Sequence, residues 1–173
     1  AMNASGDVNC WGLDNEDQVG VPSGLGTIAQ VAAGSFHSCA VNASGDMNCW
    51  GRDTDDQSSP PSGLGTVTQA TAGYEHTCAI NASGDVNCWG RDVEGQSTVP
   101  AGLGTITQVA AGGYHTCTLD DAGNVSCWGD DGDGQSTIPS GLGTVSQLAA
   151  GRYHTCTLDD AGNVSCWGDD GDG

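Results

Sequence analysis

The chain has 173 residues, 22 Asp and Glu, no lysine and three arginines (Arg52, Arg91 and Arg152), for a formal net charge of −19. That balance excludes general affinity for nucleic-acid phosphates, which rests on neutralising them, and disfavours anionic membrane surfaces. Large apolar side chains are scarce, glycine is abundant, and no apolar run is long enough to cross a bilayer.

What organises the chain is a repeat. Trp-Gly returns every 39 residues, at Trp11, Trp50, Trp89, Trp128 and Trp167, and the same step carries His37 to His76, His115 and His154. A step held without insertion or deletion is one structural unit copied along a single array. We divide residues 1–173 into a partial repeat (1–22), three full repeats (23–61, 62–100 and 101–139) and a partial repeat (140–173). Ala1 to Asp7 matches Ala40 to Asp46, which places Met2 at the core-type position of Val41 and Ile80. Both ends read as cut inside a repeat of a longer array, and no signal peptide is visible.

The elements follow in chain order within each repeat. Helical periodicity is absent. Short alternating segments bounded by Gly, Asn, Asp and Pro predict strands joined by tight turns. In the first full repeat these are strand a near Gln30–Ala33, strand b over His37–Val41, strand c over Met47–Trp50 and strand d near Ser58–Pro60. Pro60 and Pro61 restrict the last to an edge or a loop. The a–b and c–d turns fall on one face of the array, and the b–c hairpin tips on the other.

Nine cysteines occupy two positions of the repeat. A hairpin centred on Ser44 puts Cys39 directly opposite Cys49, and the same offset couples Cys78 with Cys88, Cys117 with Cys127, and Cys156 with Cys166. Opposed residues of an antiparallel pair lie close enough for a disulfide. The competing reading is zinc, but Cys-x-x-Cys spacing is absent. Disulfides predict an oxidising compartment and a secreted or cell-surface location. Cys10 is left without a partner. The recurring His predicts a buried imidazole bonded to backbone, and the recurring Trp predicts core with its indole N–H satisfied.

Val-Ala-Ala-Gly, His-Thr-Cys, Cys-Trp-Gly and Gly-Gln at these spacings resemble the repeats of the regulator of chromosome condensation family over the whole chain. The short period and the connection Gln96 to Ala101 are most similar to its compact bacterial branch, which includes a secreted propeller inhibitor of β-lactamases. The resemblance implies an all-β fold, a β-propeller of 39-residue blades with four strands each, commonly closing with seven blades. The family's nuclear exchange-factor activity is not implied, because this chain lacks the basic, chromatin-facing character of that member.

Candidate sites fall into three groups. Asp131 and Asp133, in Asp-Gly-Asp-Gly, resemble the start of a calcium loop, as do the equivalent carboxylates Asp170 and Asp172; the downstream bidentate Glu is missing. Turn chemistry is the competing account, so calcium is a weak candidate and no other metal or cofactor is expected. Asn3, Asn42, Asn81, Asn124 and Asn163 head glycosylation sequons on or near the hairpin tips, where Asn also suits a turn. The third group is the set of positions where the copies differ: Ser35-Phe36, Tyr74-Glu75, Gly113-Tyr114 and Arg152-Tyr153 before each His, and Arg52 and Arg91 after Trp-Gly. Exposed aromatics with arginine are common anchors of protein interfaces. Phe36, Arg52, Tyr74, Arg91, Tyr114, Arg152 and Tyr153 are therefore the candidate binding residues, against drift at tolerant turns.

No nucleophile, base and orienter stand together in sequence, so an enzyme is not expected. The leading reading is a non-catalytic binding module for a protein or glycan ligand. The alternatives are a structural subunit of an extracellular fibre, sheath or stalk, and an inhibitor of a secreted enzyme. Tyr114 to Asp133 recurs unchanged as Tyr153 to Asp172, a sameness that favours self-association.

Overall fold

Each copy of the repeat folds into one three-stranded antiparallel sheet. The computed structural model describes residues 1–169 and 171. The first sheet comprises β1 (Ile28–Ala33), β2 (His37–Asn42) and β3 (Met47–Gly51). The second holds β4 (Val67–Ala72), β5 (His76–Asn81) and β6 (Val86–Gly90). The third holds β7 (Ile106–Ala111), β8 (His115–Asp120) and β9 (Val125–Gly129). The fourth holds β10 (Val145–Ala150), β11 (His154–Asp159) and β12 (Val164–Gly168). Strands are hydrogen-bonded in sequence order, and each sheet packs on the next.

The expected strand d is not formed. After Trp50-Gly51 the chain satisfies its amides locally: Asp53 Oδ1 accepts from Ser58 N–H at 2.8 Å and Asp53 Oδ2 from the Ser59 hydroxyl at 2.6 Å. Asp56, with φ 60°, turns the backbone away from an extended course. With Pro60 and Pro61 following, no run of free donors remains to build a ladder.

The registers place Cys39 opposite Cys49, Cys78 opposite Cys88, Cys117 opposite Cys127 and Cys156 opposite Cys166. All four couples are disulfides, with Cα–Cα distances of 4.0 to 4.1 Å, and Cys10 is free. The middle strands β2, β5 and β8 are buried along five consecutive residues; β5 and β8 lie between sheets, and the first sheet is covered on its outer side by Val8, Cys10, Val21 and Leu25. Their apolar content is small. The cluster between the first two sheets is Val41, Val67, Ala70, Ala79 and Trp89. A core this thin is completed by polar groups; Trp89 Nε1, Gln57 Nε2 and Nδ1 of His37, His76 and His115 are buried without a partner, but most of the others are bonded.

Three recurring devices do this, and each crosses from one sheet to the next. A bulge between Ile28 and Gln30 re-aims Gln30 toward β4. Its amide then donates to Ala70 O at 3.0 Å and accepts from Ala70 N–H at 2.8 Å, reproducing the donor–acceptor pair of a strand. Gln69 does the same toward Val109, and Gln108 accepts from Leu148 N–H while donating to Ser146 O. The second device is the loop after each Trp. The Gln18 carbonyl accepts from Trp50 Nε1–H at 3.1 Å and from the Ser38 hydroxyl at 2.8 Å. The Gln96 and Gln135 carbonyls serve Trp128 with Thr116 and Trp167 with Thr155 in the same way. The third device joins His to Thr. His37 Nε2 lies 2.7 Å from Thr77 Oγ1, His76 Nε2 2.9 Å from Thr116 Oγ1, and His115 Nε2 2.8 Å from Thr155 Oγ1. Each of these hydroxyls already donates to a Gln carbonyl, so the imidazole is the donor and carries its proton on Nε2.

The expectation of a His bonded to backbone is thus corrected: the partner is a side chain of the following repeat. His154, on the fourth sheet, is exposed. Trp11 also departs from the core reading, being 74% exposed where Trp50 is 8% exposed. Trp50 docks on a carbonyl 32 residues earlier. Met2 shows the same difference, 40% exposed against 3% for Val41.

Candidate binding face

The a–b turns and the residues after Trp-Gly meet at one end of the strands. Arg52 N–H donates to Phe36 O, Arg91 N–H to Glu75 O, Asp130 N–H to Tyr114 O and Asp169 N–H to Tyr153 O, at 2.8 to 2.9 Å. Side chains of both turns are thereby brought to a single surface. The b–c tips stand at the far end of β2, roughly 17 Å away by strand rise.

Successive a–b turns approach closely because Gly34, Gly73, Gly112 and Gly151 precede them. A Cβ on Gly34 would lie 2.6 Å from Gly73 O, and one on Gly73 would lie 2.5 Å from Gly112 O. Only glycine permits that backbone contact, and the contact sets the spacing of the rings above it. Phe36 and Tyr74 stand edge to face with centroids 5.0 Å apart; Tyr74 and Tyr114 follow at 5.2 Å, and Tyr114 and Tyr153 at 6.2 Å. These are the separations at which aromatic pairs attract beyond their shared area.

The ladder is continuous although the repeat phase is not. Phe36, Glu75, Tyr114 and Tyr153 are equivalent positions, and in the second sheet the ring has moved one residue earlier, to Tyr74. The vacated position holds Glu75, whose side chain is 6% exposed and bridges two arginines: Oε1 to Arg52 Nη1 at 2.9 Å and Oε2 to Arg91 Nη1 at 3.0 Å. A carboxylate this buried is tolerable only when paired. Arg52 also lies over Phe36, with its guanidinium carbon 5.2 Å from the ring centroid, and Arg152 stacks on Tyr74 at 5.0 Å and Tyr153 at 4.9 Å. All seven candidate binding residues thus form one contiguous layer. It gathers every cation of a chain whose net charge is −19.

The other candidates lie elsewhere. Asn42 Oδ1 accepts from Ser44 and Asp46 N–H, and its Nδ2 donates to Asp46 Oδ2 at 3.0 Å; Asn81 with Asp85 and Asn3 with Asp7 repeat the pattern. In the last two sheets the two residues are exchanged. Asp120 takes the accepting role and Asn124 donates back at 2.9 Å, as Asn163 does to Asp159. The exchange preserves both the hydrogen bond and the charge, so the sequon asparagines are built into the hairpin tips. Asp131 accepts from Ser136 and Thr137 N–H and from the Thr137 hydroxyl, and that hydroxyl bond first of all holds its carboxyl below the usual range. Asp133 is exposed and its N–H donates to Gln135. No cluster of three or more His, Cys, Asp or Glu able to hold a metal occurs among the described residues; Asp170 and Asp172 lie outside them.

Sequence reasoning missed Glu75 as the anchor of the arginines, although the Tyr-Glu inversion at 74–75 was in view. It also missed the Gln and Thr bridges, whose 39-residue recurrence was the available signal.

Comparison with known proteins follows this architecture. No curated protein matches the sequence. Among solved structures, the chain is similar to the ectodomain of the Physcomitrella patens receptor kinase CR4 (TM-score 0.79, 28% identity, 96% of this chain and 47% of that one). It is also similar to the CRINKLY WD40 ectodomain of the Arabidopsis thaliana receptor kinase ACR4 (0.65, 26%, 82% and 50%). Prp20p of Saccharomyces cerevisiae shares the fold (0.69, 22%, 82% and 44%). These neighbours are β-propeller domains, and the chain spans about half the length of each. The family described as Regulator of chromosome condensation (RCC1) repeat matches four times, over residues 28–57, 67–96, 106–135 and 145–173, and the chain belongs to that family.

Proposed function

We propose that this protein is a non-catalytic, protein-binding module of the extracellular space that works through the aromatic–arginine face. One observation carries the reading. The variable turn positions are mutually adapted: Tyr74 fills the ladder where Glu75 has left it, and Glu75 in turn holds Arg52 and Arg91. Drift at tolerant turns gives no such complementarity. Rigid aromatics and stacked arginines are what strong interface anchors are made of. Four disulfides suit an oxidising compartment, and the two receptor-kinase neighbours carry this fold as ectodomains. The neighbour Prp20p, which shares the fold, has binding properties to Gsp1p and histones.

The test compares capture of extracellular proteins by immobilised wild type and by a Tyr114→Ser/Tyr153→Ser double variant with unchanged disulfides and melting temperature. Loss of specific capture supports the reading, and undiminished capture overturns it. Self-association of the native protein that the double variant keeps would support the fibre-subunit reading instead, which rests on the identical runs from Tyr114 and Tyr153.

A further inference from the structure

Residues 35, 74, 113 and 152 share one phase of the repeat and no two are alike: Ser35, Tyr74, Gly113 and Arg152. Gly113 leaves open the path that Arg152 takes. A Cβ at Gly113 would lie 2.5 Å from the Arg152 carbonyl oxygen and 2.8 Å from Arg152 Cγ. Gly113 N–H also donates to that carbonyl at 3.1 Å, which fixes the two turns together. The Arg152 side chain thus passes over a bare backbone and comes to rest against Tyr74 and Tyr153.

Arg52 and Arg91 share the one carboxylate of Glu75, whereas Arg152 makes no ion pair among the described residues. It is exposed. A guanidinium stacked on rings keeps its plane and presents its N–H edge, the geometry that receives a carboxylate through two parallel hydrogen bonds. Arg152 also stands at the end of a shallow groove of about 270 Å³. The groove is floored by the methyls and backbone of Ala72, Gly73, Ala111 and Gly112 and is flanked by Tyr74. A floor without bulky side chains admits an extended main chain lying flat.

We propose that this groove receives an extended acidic peptide segment of a partner protein, with a carboxylate of that segment held by Arg152. The proposal rests on reading the face as a binding surface and adds the chemistry of what it binds. Charge complementarity selects the occupant. The chain is strongly acidic overall, and at this groove stands the one arginine that makes no ion pair among the described residues.

The experiment measures fluorescence anisotropy of two labelled decapeptides, alternating Glu-Ala and alternating Gln-Ala, titrated with the whole chain. The Glu peptide is expected to bind about tenfold more tightly than the Gln peptide. Arg152→Gln, at an exposed position whose loss leaves the fold intact, removes that preference. Arg152→Lys, which keeps the charge but not the paired donors, retains part of it. Equal binding of the two peptides, or a preference that survives Arg152→Gln, overturns the proposal. The failures separate cleanly. If capture is lost in the Tyr114→Ser/Tyr153→Ser variant while the peptides bind equally, the face stands and its acidic specificity falls. If neither assay responds, both fall.

Discussion

Acidification from neutrality to about pH 5 will unfold this protein far more readily than its carboxylates alone predict. Burial pushes the pKa of His37, His76 and His115 from 6.5 down to about 4, about 3 and about 4. Desolvation is the largest cause at all three, opposed at His37 by Asp53 and at His115 by Asp130 and Asp131. At His76 the neighbouring imidazoles add to the lowering, with only Asp92 opposed. Folded imidazoles thus refuse protons that the unfolded chain accepts below 6.5, so stability is fully present above that value and falls as pH drops toward the folded pKa. At about pH 5 each histidine has given up about 2 kcal/mol, and the three together about 6 kcal/mol. Ordinary domains hold only about 5–15 kcal/mol in total. Two structural facts make the penalty direct. Nε2 already donates to a threonine, and Nδ1 of all three is buried without a partner, so an added proton has no acceptor.

Urea unfolding followed by tryptophan fluorescence at about pH 7, 6 and 5 reads this out, because carboxylates stay ionised across that range. The carboxyls of Asp120 and Asp159 are held low by Asn124 and Asn163, and lose their contribution only below it. A change smaller than about 1 kcal/mol between the two ends would refute the assignment of neutral, donor-only imidazoles. His76→Gln sharpens the test: it removes one of three titrating sites and should cut the pH-dependent loss by about a third, whatever it does to stability at neutrality.

Two further outcomes follow from the devices between sheets. Gln69→Leu strips the bridge to Val109 and leaves its N–H and C=O unsatisfied, lowering unfolding free energy by about 1–3 kcal/mol. Gln147→Leu, at an exposed position, should stay within about 0.5 kcal/mol; equal effects would deny the bridge its role. Thiol titration under native conditions should find Cys10 alone, against nine thiols after reduction and unfolding, and replacing Cys78 and Cys88 by serine should cost about 2–3 kcal/mol for so short a loop.

The sequence and the structure agree where the repeat imposes a local rule. Strands b and c and the four disulfides follow from a two-residue alternation across a fixed hairpin, and both are local geometry. Strand d was misread for the same reason. Its extended look comes from Ser-Ser-Pro-Pro, while the Asp53 carboxylate that captures the Ser58 N–H and the Ser59 hydroxyl is a side-chain contact that alternation does not encode. The His partner was misassigned because the nearest donors and acceptors in sequence are not the nearest in space. His37 bonds to a threonine 40 residues on, beyond any local pattern yet one repeat and one residue away.

That offset of 40, one more than the period, recurs in the glutamine bridges from Gln30 to Ala70 and from Gln69 to Val109. The ring ladder does not keep a fixed offset: Phe36 meets Tyr74 38 residues on, Tyr74 meets Tyr114 40 residues on and Tyr114 meets Tyr153 39 residues on, so the ladder is kept although the second ring stands at position 74 and not at 75. The chain can therefore move an aromatic from one to the other without breaking the ladder, and the freed position becomes available for a different chemistry. Glu75 uses it once, to bury a carboxylate between two arginines. Gly113 and Arg152 use it again, to pass a cation across an empty position onto the rings. The core repeats because the first three sheets bury the same His and Trp. The face is free to vary because each turn accepts its ring at either of two neighbouring positions, so an array of near-identical units can carry a surface that is not itself a repeat.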